Sequence, residues 1–394
     1  MLVQVNSPIF KTKYSSVNKD YNLSNHLRSN SKENGINLNN CPLSLYNVSF
    51  HAKPILAQEK LKNFQGCLLG GAIGDAFGAP LEKLPMQEIQ RRFHGSLKYL
   101  IKQKDGIAEF TDDTQMTLFT IDGLLGSIHK FSEQSDEYYR NILKSYKKWY
   151  ITQVESEPIS GAKGLMALAG LYEKREPGNT CLSSLQSDKF GTIDNPINDS
   201  AGNGGVMRVA PVGLLYCNNP ELSFEVGMKI AALTHGHPRG FLPAGFLSCL
   251  IAYIIKDNSF EDALELTKSV LKKYPEADNL LNKINKAQEL AKEDTTEEQA
   301  ISILGSGWTG DEALAIAIYS NLKHFGDFKK IIITSANHGG DSDTTAAIAG
   351  NIAGVLNSVD NIPNQWKKSI DMSTLLEKYA HFLYHIANNS ASQL

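Results

Sequence analysis

Apolar side chains recur at three- and four-residue spacing along almost the whole chain from Leu56 onward, and this periodicity limits the possible folds more than any other feature. Phe64, Leu68 and Leu69 form one such set, and Leu118, Ile121, Leu124 and Leu125 another; Leu165, Leu168 and Leu171, then Ala313, Leu314, Ala317 and Ile318, repeat it. That spacing gathers apolar groups on one face of an α-helix, whereas alternating strand-like runs with hairpin turns are scarce. The pattern predicts one all-α domain over residues 56–394, a compact multi-helix array with short connections. A chain of 394 residues, 42% of them hydrophobic, can bury a core of that size. Residues 1–55 differ: they are rich in Asn, Ser and Lys between Tyr14 and Asn40 and poor in large apolar groups, so an irregular or weakly ordered extension is expected there.

Charge and cysteine usage narrow the function classes. A formal net charge of −3 without a basic stripe offers no footprint for nucleic acid. Cys41, Cys67, Cys181, Cys217 and Cys249 are scattered, with no Cys-x-x-Cys pair, which reads as reduced thiols in a cytoplasmic protein. A secreted effector that uses the N-terminal extension is the alternative. The most apolar stretch, Phe241 to Ile255, is interrupted by Pro243 and Gly245 and is expected to be a buried helix too short to span a bilayer, so no membrane partner is expected. Lys268 to Glu298 is Lys/Glu-rich around Leu271, Leu280, Leu281, Ile284 and Leu290, the pattern of a solvated helical pair at the domain edge.

Two short acidic clusters stand apart from this background. Thr111-Asp112-Asp113-Thr114 and Asp341-Ser342-Asp343-Thr344-Thr345 lie roughly 230 residues apart, each just ahead of a helical run. Ser, Thr or Asp at such a place satisfies an orphan backbone N–H as an N-cap, and acidic residues in the first turn suit the macrodipole. Capping does not explain the second carboxylate in each cluster. Two carboxylates and a hydroxyl within one turn, supplied from both ends of the chain, also match a hard-cation site for two Mg2+ or Mn2+ ions. Ala346, Ala347, Ala349, Gly350, Ala353 and Gly354 keep the second helix thin, so neighbouring backbone can approach it.

Four further segments combine glycine with polar groups. Gly66 to Glu82 contains five glycines after Cys67 or before it and places Glu82 in the loop beyond a helix. Asp199-Ser200-Ala201-Gly202-Asn203-Gly204-Gly205 is a polar loop running into an apolar helix, whose N–H groups suit phosphate. Thr234-His235-Gly236-His237 offers histidines for stacking or hydrogen bonding rather than for metal. Trp308, after Gly307, could stack a base, but a core position is the expectation. Gly305 to Gly310 fits G-x-G-x-x-G, yet Thr295 to Leu304 ahead of it reads as helix, so the dinucleotide reading fails. The opening Asp341-Ser342-Asp343 is not an EF-hand, because Ala346 and Ile352 occupy the positions of the turn glycine and bidentate glutamate.

Taken in order, Gly70-x-x-x-Gly74-Asp75-Ala76-x-Gly78-x-x-x-Glu82, Thr111-Asp112-Asp113-Thr114-Gln115-Met116, Gly202 to Pro211, Leu233-Thr234-His235, Gly307-Trp308 and Gly339-Gly340-Asp341-Ser342-Asp343-Thr344 resemble the ADP-ribosylglycohydrolase family from about residue 60 to 390. The resemblance implies an ADP-ribosylglycohydrolase-like all-α fold with a central binuclear magnesium site. It also implies an enzyme that removes ADP-ribose from modified protein side chains, arginine first among acceptors. By motif position, Thr111, Asp112, Asp113, Asp341, Asp343 and Thr344 would hold the ions. Glu82, Asp112 and Asp343 would be catalytic, and Ser200, Gly202, Asn203, Gly204, Gly205 and His235 would bind the ribose and diphosphate. The implied partners are an ADP-ribosylated protein and ADP-ribose, engaged by a monomer. Relatives acting on ADP-ribosyl-arginine carry an Asp-x-Gly element where this chain reads Glu155 to Gly164, with Glu155 and Glu157 the available carboxylates. Alternatives are a binding or structural protein that keeps the fold without turnover, or a hydrolase of another ADP-ribosyl linkage. A nucleotide phosphohydrolase is disfavoured because the chain has no adjacent His-Asp pair.

Overall fold

The structure, a computed structural model, describes residues 54–127 and 135–390. The expected extension, residues 1–55, lies outside the described residues except for Pro54 and Ile55, which begin the first helix. The first helices are α1 (Pro54–Gly78), α2 (Met86–Arg92), α3 (Asp112–Gly126), α4 (Asp136–Val154), α5 (Asn179–Gln186), α6 (Ala210–Leu215), α7 (Pro220–Ala232) and α8 (Pro238–Ile255). They continue as α9 (Phe260–Leu271), α10 (Ala277–Lys292), α11 (Glu297–Leu304), α12 (Gly310–Lys323), α13 (Phe328–Ala336), α14 (Ser342–Asn357), α15 (Asn364–Ser369) and α16 (Ser373–Ser390). Among the described residues strand-like pairing is confined to two isolated bridges, Ala108 with Ile370 and Gly202 with Thr309. The all-α expectation from periodicity therefore holds.

One helix pair organises the core. Gly66, Gly70, Gly74 and Gly78 repeat every four residues along α1, and Ser342, Ala346, Gly350 and Gly354 repeat every four along α14. A Cβ added to Gly66, Gly70, Gly74 or Gly78 would run into the backbone of Gly354, Gly350, Ala346 or Ser342 respectively. The two helices thus lie antiparallel with their backbones in direct contact, small residue against small residue. Asn351 seals the seam by donating from Nδ2 to the Cys67 carbonyl at 2.8 Å. In this register the C-terminal end of α1 meets the N-terminal end of α14, and that is where Glu82 and the second acidic cluster emerge.

The first acidic cluster is brought to the same place by α3, whose first turn is buried on all sides. Its polar Gln115 is satisfied by Trp149 Nε1 at 3.0 Å and Gln153 Nε2 at 3.1 Å, both donating to Oε1, and this fixes α3 against α4. Helix α8 has the length and apolar composition to cross a membrane, contrary to the expectation that it is too short, but its apolar window is 83% buried inside the fold. It is a core helix. Cys67, Cys181, Cys217 and Cys249 are buried free thiols; Cys41 lies outside the described residues.

Candidate active site

Backbone hydrogen bonds tie four segments together at the junction of α1 and α14. Lys83 N donates to Gly340 O (3.4 Å), Asp341 N to Ser306 O (2.8 Å) and Gly310 N to Ala201 O (3.0 Å). These segments enclose a cavity of about 420 Å³ lined by Glu82, Asp112, Asp113, Gly202, Asn203, Gly204, His235, Asp341, Asp343 and Thr344. Ten of the residues expected from sequence therefore converge on one space.

Three expected residues sit just behind the wall. Thr111 caps α3, accepting from Asp113 N at 3.4 Å. Ser200 accepts from Gly202 N at 3.3 Å and meets Thr180 Oγ1 at 3.1 Å, so it shapes the loop. Gly205 lets that loop settle on Ala231 and Gly240. Conversely, Lys83, Glu176, Gly178, Thr180 and Trp308 line the cavity. The first four were not singled out from sequence. Trp308 was expected in the core but is 42% exposed. The reason is Gly307, at φ +85°, whose turn packs on Thr345 and directs the next residue outward. Glu155 and Glu157 are exposed beyond the end of α4 and do not line the cavity.

Asp75 does the positioning, through partners far from it in sequence. Fully buried in α1, it accepts from Thr111 N (2.8 Å), Thr114 N (2.9 Å) and Thr114 Oγ1 (2.6 Å). It clamps the start of α3 to α1 and so aims Asp112 and Asp113 into the cavity. Asp112 Oδ2 accepts from Gly178 N at 3.1 Å. Asp113 Oδ1 accepts from Thr344 Oγ1 at 3.3 Å, which bridges the two clusters, while Asp113 Oδ2 is buried with no hydrogen-bond partner. Asn203 Nδ2 donates to Asp341 Oδ2 and to Gly307 O, each at 2.7 Å.

Burial and mutual repulsion push the Asp112, Asp113 and Asp343 carboxyls well above the ordinary range, and Asp341 upward too. Glu82 is raised to about 7 by burial and then by the Asp343 charge, against the opposing Lys83 ammonium 3.0 Å away. Lys83 also bridges to Glu176 at 2.6 Å. An orphaned carboxylate oxygen and four aspartates around one cavity form a hard-oxygen donor set suited to Mg2+ or Mn2+. Among the described residues no three acidic, His or Cys side chains already converge as a metal centre.

These shifts fix a stability prediction. The folded carboxyls hold protons that the unfolded chain releases at lower pH, so their contribution is complete below the ordinary carboxylate range and is lost as pH rises. In chelator the melting temperature should fall by several degrees between about pH 5.5 and about pH 8, and Mg2+ should restore it at the upper end. A melting temperature in chelator that rises over that interval would contradict the burial of unpaired carboxylates.

A family model described as ADP-ribosylglycohydrolase matches residues 57–392. The chain is similar to a protein named ADP-ribosylhydrolase ARH3 from Gallus gallus, 27% identical over 82% of this chain and 93% of the relative. It is likewise similar to one named ADP-ribosylarginine hydrolase Tri1 from Serratia proteamaculans, 26% identical over 84% of this chain and 81% of the relative. A solved structure titled ADP-ribosylglycohydrolase-related protein complex shares the fold, with a TM-score of 0.56 and 21% identity over 84% of this chain and 99% of that one.

Proposed function

Given that this chain belongs to the ADP-ribosylglycohydrolase family, we propose that it is a magnesium-dependent hydrolase that releases ADP-ribose from modified protein side chains, with arginine as the acceptor. The observation that carries this reading is the gathering of Asp112, Asp113, Asp341, Asp343 and Glu82 around one cavity that also presents a glycine loop and a neutral histidine. Asp112, Asp113, Asp341, Asp343 and Thr344, which line the cavity, would hold two Mg2+ ions, with Thr111 supporting them from behind as the cap of α3. When bound, the ions supply the positive charge that lets an anionic ligand enter an acidic cavity and that polarises hydroxyl groups and water.

The remaining chemistry belongs to the protein. Cleaving a glycosidic bond needs a stabilised cationic centre, a positioned water and a group that exchanges a proton. Glu82 sits at the cavity with its side chain largely shielded, and that burial raises its carboxyl, the direction that suits a group exchanging protons near neutral pH. Gly202 and Gly204 expose backbone at the wall where the diphosphate would lie, with His235 beside them. The exposed ring of Trp308 at the cavity edge is available to a nucleobase. At the rim beyond Glu82, Lys83 pairs with Glu176 at 2.6 Å, so the two charges largely cancel. The choice of arginine as acceptor is supported by the similarity to the relative named ADP-ribosylarginine hydrolase Tri1.

The test is release of free ADP-ribose from arginine-, serine- and aspartate-modified proteins, with Mg2+ and with chelator. Release from the arginine substrate that depends on Mg2+ is expected. In Glu82→Gln the rate should fall by about 10²- to 10⁴-fold while ADP-ribose still binds. Release from serine or aspartate alone would overturn the acceptor. Binding without release from any substrate would make the chain an ADP-ribose-binding protein.

A further inference from the structure

Arg208 is a fully buried guanidinium with only neutral partners. Its Nη2 donates to Thr234 Oγ1 at 2.6 Å and to the Ile230 carbonyl at 3.5 Å; Nη1 meets the Met116 and Cys181 sulfurs at 3.4 and 3.5 Å. The Tyr146 ring centroid lies 4.3 Å from the guanidinium carbon, and Nε has no partner. A buried charge without a counter-ion opposes folding, and an apolar side chain would fill the space at less cost. What the charge touches next is Thr234, whose Oγ1 lies 2.8 Å from His235 Nδ1, and His235 lines the cavity.

The proton inventory of this relay has one favoured solution. A guanidinium only donates, so Thr234 Oγ1 accepts from Arg208 and keeps one proton to give. Two acceptors compete for it: the Ala231 carbonyl at 3.4 Å and His235 Nδ1 at 2.8 Å. The shorter contact wins, and the charge-assisted bond from Arg208 polarises the hydroxyl toward donation. With Nδ1 accepting, a neutral imidazole carries its proton on Nε2. That nitrogen lies against Gly202 and Gly204, where a Cβ would approach it to 3.3 and 3.1 Å. Burial and the Arg208 charge also hold the ring neutral, with its pKa lowered to about 3.

We propose that Arg208 is a positioning residue: acting through Thr234, it locks His235 as the Nε2–H tautomer and so makes it a fixed hydrogen-bond donor to the diphosphate of the ligand. The identity of that ligand rests on the proposed function; the tautomer does not. Two readouts separate them. In full-length ¹⁵N-labelled protein, a long-range ¹H–¹⁵N spectrum, with His235 assigned by its loss in His235→Gln, should show the Nε2–H form. Titration with ADP-ribose in Mg2+ should show Thr234→Val binding about tenfold to a hundredfold more weakly, with a mixed tautomer, and Thr234→Ser restoring both. An Nδ1–H spectrum in the wild type would overturn the lock. So would unchanged affinity in folded Thr234→Val, or equal damage from Val and Ser, which would mark a purely structural threonine. Failure of the wild type to bind ADP-ribose would overturn the functional reading and leave the spectrum to decide the lock alone.

Discussion

Asp343→Asn should yield a protein that is dead and, in chelator, more stable than the wild type. Asp343 is buried at the start of α14, beside Asp341 and facing the first cluster, and its carboxyl is pushed well above the ordinary range by burial and then by the neighbouring charges. Asparagine keeps its shape and removes a charge that has no cationic partner. At about pH 8 the wild type must either ionise against its neighbours or hold a proton at a cost, and the variant does neither. Turnover should nevertheless fall by about 10³-fold or more, as when one member of a cooperating catalytic unit is lost. On the proposed magnesium site, Mg2+ should raise the wild-type melting temperature by mass action on the folded state, and in Asp343→Asn that gain should vanish; Asp112→Asn should behave alike. The opposite signs are the diagnostic. A residue kept only for stability would lose both activity and melting temperature, and a variant that turns over normally would remove Asp343 from the site.

Gly74→Val should be strongly destabilising, costing about 3 kcal/mol or more. The obstacle is not a side chain that can turn away but the Ala346 backbone of α14, so the helices would have to separate along their seam. Separation at that level also moves Asp75 off the start of α3 and Glu82 away from Asp343, so residual folded protein should be inactive. Gly126→Ala is the control, since a Cβ there meets nothing within 4 Å; stability should change by less than about 1 kcal/mol. Urea midpoints of the two variants decide the matter. A near-normal midpoint for Gly74→Val would mean that the antiparallel register of α1 and α14 is wrong.

The sequence announced some of this and concealed the rest for physical reasons. Helical periodicity, the acidic clusters, the 202–204 loop and His235 were legible because each is written in neighbouring residues. The partners of the glycine repeat on α1 were half legible, since the small residues of α14 stood out but their register against Gly66 to Gly78 did not. Asp75 and Arg208 carried a signal, a charged residue inside an otherwise apolar or glycine-rich stretch, yet what they hold lies 36 and 26 residues away in Thr111 and Thr234. Trp308 misled because aromatic rings are usually buried, and only the backbone turn at Gly307 turns this one outward. Lys83 and Glu176 became neighbours through folding alone, 93 residues apart.

The seam between α1 and α14 also sets when the site can come into being. Asp113 and Thr344, joined by one hydrogen bond across the cavity, are separated by 231 residues. Closing so long a loop delays the contacts it makes. A growing chain that has passed Asp113 but not yet Asp343 holds half the carboxylates, and their clamp in Asp75, with no opposing helix to complete the cavity. Partial translation products should therefore be inert toward ADP-ribosylated proteins however well their early helices form, and the proposed cation binding would report on the finished chain.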